Sequence, residues 1–99
     1  MRVENIRFLL EAAEDLDSGH GFYNTQSAGL GKYFVDTILG EIESLYLYAG
    51  IHRKEFGFFK LLSRRFPYAV YYDIEGDTAI VVAILDLRRN PAWIKSRLK

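Results

Sequence analysis

Cysteine is absent from the 99-residue chain, and this absence excludes several kinds of site. Without thiols there is no disulfide framework, no cysteine nucleophile and no cysteine-based zinc site. Proline is scarce, with two residues, and no apolar run approaches the roughly 18 residues that a membrane-spanning helix requires. The first residues have neither the long apolar core nor the cleavage site of a signal peptide. These absences favour a cytoplasmic protein that does not contact the membrane.

The residues that are present predict one domain covering 1–99. Hydrophobic residues make up 49% of the chain and aromatic residues 15%, which is enough for one modest core. Because these rings are more numerous than a small core readily hides, we expect an apolar groove on the surface. A partner protein would cover this groove, or a second copy of the chain would cover it in a homodimer.

The formal net charge is zero, but the charges are unevenly distributed along the chain. Residues 1–50 carry 3 basic and 8 acidic side chains, whereas residues 51–99 carry 10 basic and 5 acidic ones. From Arg88 to Lys99 there are five basic residues and no acidic residue. This asymmetry favours a basic surface that meets an acidic partner, although solvated charges that merely balance would give the same numbers.

The spacing of apolar residues predicts two helices, over residues 11–26 and 30–49, with Gly29 and Gly31 marking the turn between them. Residues 3–10, VENIRFLL, fit either a short strand or the start of a helix. Three later segments are rich in aromatic and β-branched residues and are predicted strands: 55–63, 66–74 and 78–87.

The last of these strands is apolar without alternation, which predicts an inner strand that includes residues 80–85 and is covered on both faces. Gly76, between acidic residues, favours a hairpin that makes the last two strands antiparallel neighbours. The Asn90-Pro91 pair ends the final strand, and residues 92–99 form a short basic tail of about one helical turn. Two helices followed by strands predict the α+β class, with an N-terminal helical hairpin packed on a small antiparallel sheet.

Four arginines are predicted to lie together at one end of this sheet: Arg64, Arg65, Arg88 and Arg89. The first pair precedes one strand and the second pair ends its antiparallel neighbour, so the two pairs fall side by side. A guanidinium group donates in a planar fork that matches phosphate and carboxylate. The cluster predicts contact with nucleic-acid phosphate or with acidic groups of a protein. Pairing of one or two members with Asp86 or with helix carbonyls is the structural alternative.

Three other side chains are candidate contacts for a partner: Tyr71, Trp93 and His52. Alternation places Tyr71 on the opposite face from Tyr68 and Tyr72, where it would reach the arginines, line a groove or pack in the core. Trp93 would either anchor the tail or contact a partner. His52, in the loop before the strands, would act as a general base or contact a partner. The two histidines lack an acidic companion, so we expect neither a metal site nor a cofactor.

Three segments together resemble the RelE/ParE superfamily, the toxins of type II toxin–antitoxin systems, which are often described as plasmid stabilisation proteins. The segments are FYNTQSAGLGKYFVDTI (22–38), LLSRRFPYAVYYDIEGD (61–77) and VVAILDLRRNPAWI (81–94). They extend over nearly the whole chain, and they are specific as a set although each one alone is weak. The resemblance implies a small sheet packed by a helical hairpin. It also implies a cognate antitoxin that wraps the toxin with an extended or helical segment.

The targets implied by the resemblance differ within the superfamily. ParE-like members bind DNA gyrase and cut nothing themselves, RelE-like members cut messenger RNA on the ribosome, and many relatives have no demonstrated toxicity. RelE-like nucleases add a tyrosine or a comparable group near the C-terminus to their arginines, because arginine stays protonated and supplies only charge. After Arg89 the tail has no tyrosine, histidine or acid, and its remaining titratable groups are Lys95 and Lys99.

We therefore expect a ParE-like toxin that binds its target and does not cleave RNA by itself. A non-toxic partner-binding module of the same fold is the alternative, and a ribosome-dependent mRNA endonuclease is the third reading. On any of them, replacing Arg88 and Arg89 together should weaken binding and leave the fold nearly intact, since both follow the apolar run.

Overall fold

Within residues 2–99, which the computed structural model describes, the chain forms a five-stranded sheet. The elements follow in the order β1 (Asn5–Phe8), α1 (Leu10–Gln26), α2 (Leu30–Glu43), α3 (Leu45–Tyr48), β2 (Lys54–Glu55), β3 (Phe58–Leu62), β4 (Tyr68–Glu75), β5 (Thr78–Asp86) and α4 (Pro91–Arg97). The hairpin of α1 and α2 packs on one face of the sheet and α4 on the other. The predicted α+β class and helical hairpin are confirmed. No helix in the described part of the chain has the length and apolar content needed to cross a membrane.

The strand order in the sheet is β1-β5-β4-β3-β2. The turn at Gly76 joins β4 and β5 as the antiparallel pair that the sequence predicted, and Tyr68 lies opposite Asp86 at the far end of this pair. Residues 3–10, which left two possibilities open, supply the strand β1. Strand β1 pairs in parallel with β5, whereas the other strand pairs of the sheet are antiparallel. The sheet is therefore mixed.

Strand β5 is the inner strand, as predicted, and it contributes to two cores. Val81 and Ile84 belong to the larger core beneath the helical hairpin, while Ala83 and Leu85 belong to a smaller core beneath α4. A register shift between Tyr71 and Tyr72 of β4 interrupts simple alternation along this pair. Both faces of the strand are therefore covered, which explains its unbroken apolar sequence.

The single helix predicted over residues 30–49 is wrong at Ser44, where α2 ends and α3 begins. The Ser44 hydroxyl donates to the Glu41 carbonyl at 2.7 Å, and the Ser44 amide donates to the same carbonyl at 3.2 Å. A serine side chain that competes for a helix carbonyl tightens the turn and breaks the regular ladder. The apolar spacing continues across the break, so periodicity alone did not reveal it.

The strand predicted over residues 55–63 is confirmed for β3, whereas the residues that precede β3 form a hairpin with it through β2. Phe56 and Gly57 form its two-residue turn, with φ values of 55° and 88°. Two successive left-handed residues give the twist that short hairpins prefer. The helix in the C-terminal tail, α4, has 7 residues and is therefore longer than the single helical turn expected. Asn90 begins α4 by accepting a hydrogen bond from the Ala92 amide at 2.8 Å through its side chain.

Candidate functional site

The four predicted arginines lie at the end of the sheet where β4 begins and β5 ends. We call this the arginine end, and its members are Arg64, Arg65, Arg88 and Arg89. The first two belong to the β3–β4 loop and the last two directly follow β5. The Leu87 amide donates to the Pro67 carbonyl at 2.8 Å, which holds these two segments together. All four residues are exposed, but their side chains have different partners.

Arg88 is paired with Asp86. Its Nε and Nη2 atoms donate to the two carboxylate oxygens at 2.9 and 2.8 Å, and its amide donates to Oδ1 at 2.9 Å. These hydrogen bonds from Arg88 are the main reason that the pKa of Asp86 lies below its ordinary value. Arg88 therefore has a structural role within the chain. The expectation that its replacement leaves the fold nearly intact did not take this role into account.

Replacing Arg88 with alanine is expected to raise the pKa of Asp86 toward its ordinary value of 3.8. Because the pairing lowers the folded-state pKa, its contribution to stability is present above the unfolded-state pKa and is lost as the pH falls through the folded-state pKa. The variant should thus be less stable than the parent at neutral pH, and this difference should vanish in strong acid.

An NMR titration of the Asp86 carboxyl carbon measures the pKa shift, and urea unfolding at both pH values measures the difference in stability. Arg89→Ala is the matched control, because Arg89 is the weakest of the causes that lower the pKa of Asp86. Equal Asp86 pKa values in the two variants would contradict the structural role of Arg88.

Arg89 stacks on Trp93 of α4, with its guanidinium carbon 3.8 Å from the ring centroid. The guanidinium carbon of Arg97 lies 5.5 Å from the same ring. Trp93 therefore anchors the tail and supports Arg89, and it is half-buried rather than freely exposed. Stacking uses the face of a guanidinium group and leaves its N–H edges able to donate. Within residues 2–99, no carboxylate forms an ion pair with Arg89.

The two loop arginines are also without ion-pair partners in the described chain. Nη1 of Arg65 donates to the Tyr33 hydroxyl at 3.0 Å, which directs this side chain toward the start of α2. The Arg64 amide donates to Oε2 of Glu41 at 2.8 Å, and its side chain is exposed. Arg64, Arg65 and Arg89 are thus the cations of the arginine end that remain available to an anionic partner.

A cleft of about 360 Å³ opens beside the arginine end, between α1, the end of β5 and α4. Phe22, Tyr68, Trp93 and Arg89 are among the residues that line it. Burial, reinforced by the nearby Asp86 carboxylate, raises the pKa of Tyr68 to about 12, so its hydroxyl stays protonated at neutral pH. Neither histidine of the described chain lines this cleft. The arrangement supplies charge and hydrogen-bond donors, and the raised pKa of its tyrosine does not suit proton transfer near neutral pH.

A second concavity, which we call the apolar groove, has a volume of about 410 Å³ and lies between the α2–α3 region and β3. It is lined by Glu41, Ser44, Tyr48, Ile51, His52, Leu61, Leu62 and Arg64. Ile51 and Leu62 are 67% and 57% exposed, although both are large apolar residues. A groove with exposed apolar residues is therefore present, but aliphatic side chains rather than the abundant rings supply most of its apolar lining. Arg64 belongs to both the groove and the arginine end.

His52 lies in the apolar groove and not with the arginines of the other cleft. Its Nδ1 atom is 2.5 Å from the hydroxyl of Tyr72, and burial lowers the pKa of the imidazole. Tyr71 is fully buried in the smaller core, and its hydroxyl lies 3.5 Å from Oε1 of Glu55. Burial and, second, the Glu55 carboxylate raise the pKa of Tyr71 to about 12. Complete burial keeps the Tyr71 ring from contacting a partner in this arrangement.

Sequence reasoning missed an interaction that fixes α4. The two carboxylate oxygens of Asp15 in α1 accept hydrogen bonds from Nη1 and Nη2 of Arg97, each at 2.8 Å. Oδ2 of Asp15 also accepts from the Ile84 amide at 3.0 Å. This amide lies beyond the point where β1 ends opposite Val81, so it has no strand partner there. Asp15 and Arg97 are 82 positions apart, and no local pattern connects them.

No protein-family model and no curated protein sequence matches the chain. Among solved structures, the chain is similar to one of the chromosomal ParDE TA (toxin–antitoxin) system from P. aeruginosa, with a TM-score of 0.77 and 20% sequence identity. The similarity covers 84% of this chain and 95% of that one. At this identity the likeness establishes a shared fold, so the fold implied by the RelE/ParE resemblance is confirmed.

Proposed function

We propose that this chain is the toxin of a type II toxin–antitoxin system, that it acts in the cytoplasm by binding a target such as DNA gyrase, and that a cognate antitoxin neutralises it. The observation that carries the proposal is the fold shared with a ParDE-system chain over 84% of this chain and 95% of the other. The three motifs that resemble the RelE/ParE superfamily support the same assignment.

Binding is favoured over RNA cleavage by the chemistry of the arginine end. Arg64, Arg65 and Arg89 supply positive charge without an ion-pair partner in the described chain. A general base or acid works best when its pKa lies near the operating pH, whereas the pKa of Tyr68 is raised to about 12. The surface is therefore suited to an acidic protein partner, with charge complementarity as its contribution.

The apolar groove is the second part of the proposed interface, and it suits an antitoxin segment. Such a segment would cover Ile51 and Leu62 with apolar side chains and place a carboxylate near Arg64. Because Arg64 belongs to both surfaces, an occupied groove would also change the charge that the arginine end presents. A second copy of this chain would instead cover the groove in a homodimer, and light scattering on the purified chain distinguishes these occupants.

Expression of the chain without antitoxin tests the proposal, with growth, messenger RNA ends and gyrase-linked DNA breaks followed in parallel. We expect growth arrest and DNA breaks, without ribosome-dependent RNA cuts. The Arg65→Ala/Arg89→Ala variant should weaken target binding by roughly 30-fold, because each exposed ion pair that is lost contributes up to about 1 kcal/mol. Arg2→Ala/Arg7→Ala is the matched control, since it removes two exposed arginines outside the arginine end.

The remaining outcomes separate the other functions. Ribosome-dependent RNA cuts that disappear in the Arg65→Ala/Arg89→Ala variant would identify an endonuclease. Normal growth with neither lesion would identify a non-toxic partner-binding module. Equal toxicity of the arginine-end variant and its control would show that another surface binds the target.

A further inference from the structure

His52, Tyr72 and the Gly50 backbone form a small polar cluster beside the apolar groove. The Tyr72 hydroxyl accepts a hydrogen bond from the Gly50 amide at 2.9 Å and lies 2.5 Å from Nδ1 of His52. The imidazole packs edge-on against the Tyr72 ring, with the centroids 5.5 Å apart. Tyr72 is fully buried, so this cluster supplies the hydrogen bonds of its hydroxyl.

These contacts favour one arrangement of the protons. The Tyr72 hydroxyl has one proton to donate, and the Gly50 amide is already a donor to its oxygen. Within the described residues, His52 Nδ1 is the other group within bonding distance of this hydroxyl, and it accepts the hydroxyl proton when the imidazole is in its neutral Nε2–H form. Protonation of Nδ1 would turn this acceptor into a donor and leave the buried hydroxyl proton without a partner.

We propose that the cluster is a proton-sensitive latch on the apolar groove. Neutral His52 holds residues 49–53 against β4, and protonation of His52 releases this segment. The same segment places Ile51 and His52 in the groove, so its release would remove part of one wall. The regulatory meaning rests on the proposed function, since it requires that the groove receive a partner, whereas the latch itself is a property of the free chain.

Few charged groups face His52. Glu41 of α2, Tyr48 of α3 and Arg64 of the β3–β4 loop share the groove with it, and Arg53 follows it in its own segment. Oε2 of Glu41 accepts from the Arg64 amide, and no carboxylate in the described chain bonds to the imidazole. None of the described contacts therefore stabilises the imidazolium form. Burial lowers the pKa of His52, which agrees with this geometry.

The sign of the pH effect is fixed by the preference for neutral His52. The stability contributed by the latch is complete above the ordinary pKa of 6.5 and is lost as the pH falls toward the lower folded-state pKa. In an NMR titration of the full chain, His52 should titrate below 6.5, and the Gly50 amide and Tyr72 should shift with the same midpoint. The hydrogen-exchange protection factor of the Gly50 amide should fall roughly tenfold through this midpoint, as expected for the loss of one buried hydrogen bond.

Two variants, His52→Asn and Tyr72→Phe, sharpen the test. A third variant, His20→Gln, assigns the imidazole resonances by removing the other histidine. In His52→Asn the side-chain oxygen takes the place of the Nδ1 acceptor and cannot be protonated, so protection of Gly50 should no longer depend on pH in this range. In Tyr72→Phe the pKa of His52 should rise relative to the parent, and if this variant fails to fold, His52→Asn still decides the question.

A His52 that titrates at or above 6.5 would overturn the latch, and so would Gly50 protection that is unchanged through the His52 midpoint. Either result would leave the proposed toxin function intact. Conversely, an absence of toxicity would not alter the titration.

Discussion

Alanine in place of Gly31 is expected to destabilise the fold by about 3 kcal/mol, and alanine in place of Gly19 by a similar amount. A Cβ atom at Gly31 would lie 2.5 Å from the His20 carbonyl oxygen, and one at Gly19 would lie 2.4 Å from Cε2 of Phe34. The first neighbour is helix backbone and the second is a fully buried ring, so neither gives way easily. The two glycines therefore allow α1 and α2 to approach closely, and a methyl group at either position pushes the helices apart.

Two other glycines in the same helices are the matched controls. A Cβ atom at Gly21 in α1 or at Gly40 in α2 would meet nothing within 4 Å. Alanine at these positions should stabilise the chain by about 0.5–1 kcal/mol, because it lowers the entropy of the unfolded chain without a clash. Urea unfolding with an unchanged m-value measures all four effects. The same sign at all four positions would contradict close packing of the hairpin.

These glycines also show how far sequence reasoning reaches. Gly29 and Gly31 together predicted the turn between the helices, and Gly29 has the left-handed φ of 86° that such a turn requires. Gly31 instead lies inside α2, where the absence of a side chain allows the backbone of α1 to approach closely. A glycine that supplies positive φ and a glycine that makes room for a neighbouring helix are identical in sequence, and only the packed hairpin distinguishes them.

The position of the arginine end was predictable because it follows from local signals. The turn at Gly76 fixes an antiparallel pair, and this pair brings the start of β4 beside the end of β5. The partners of these arginines include residues close in sequence and residues distant in sequence. Pairing of one or two of the arginines with Asp86 is an alternative that the sequence offers, and Arg88 forms this pair, whereas nothing local indicates that Arg65 contacts Tyr33 of α2.

The face that carries Tyr71 shows the same limit. Alternation along β4 correctly separated Tyr71 from Tyr68 and Tyr72. Its complete burial followed from α4, which extends from Pro91 to Arg97 and packs Ile94 over this face. A short basic tail gives a weak helical signal, and the ion pair that fixes α4 joins it to α1 across nearly the whole chain.

Removal of that ion pair gives the second large effect. Asp15→Ala is expected to destabilise the chain by about 3 kcal/mol, because it removes one member of a largely buried pair. The Asp15 side chain is 12% exposed and that of Arg97 is 27% exposed. Without the carboxylate, the guanidinium of Arg97 and the amide of Ile84 both lose their acceptor at a partly buried site.

A double-mutant cycle separates the two contacts. Arg97→Ala should cost less than Asp15→Ala, because the carboxylate would still accept from the Ile84 amide and would gain water on its free side. The double variant should cost little more than Asp15→Ala alone, which corresponds to a coupling of roughly 1–2 kcal/mol. Asp17→Ala is the control, since Asp17 is exposed on the same helix and its loss should change stability by less than about 0.5 kcal/mol.

Hydrogen exchange at the Ile84 amide gives an independent measurement of the same pair. Protection of this amide should fall in Asp15→Ala and persist in Arg97→Ala, because only the first variant removes its acceptor. Strictly additive costs, or equal protection in both variants, would show that Asp15 does not join α1, β5 and α4.

Both variants should also disturb Trp93, which lies between Arg89 and Arg97, and tryptophan fluorescence reports this change. Since Arg89 rests on that ring, loss of the Asp15–Arg97 pair should weaken target binding even with every residue of the arginine end unchanged.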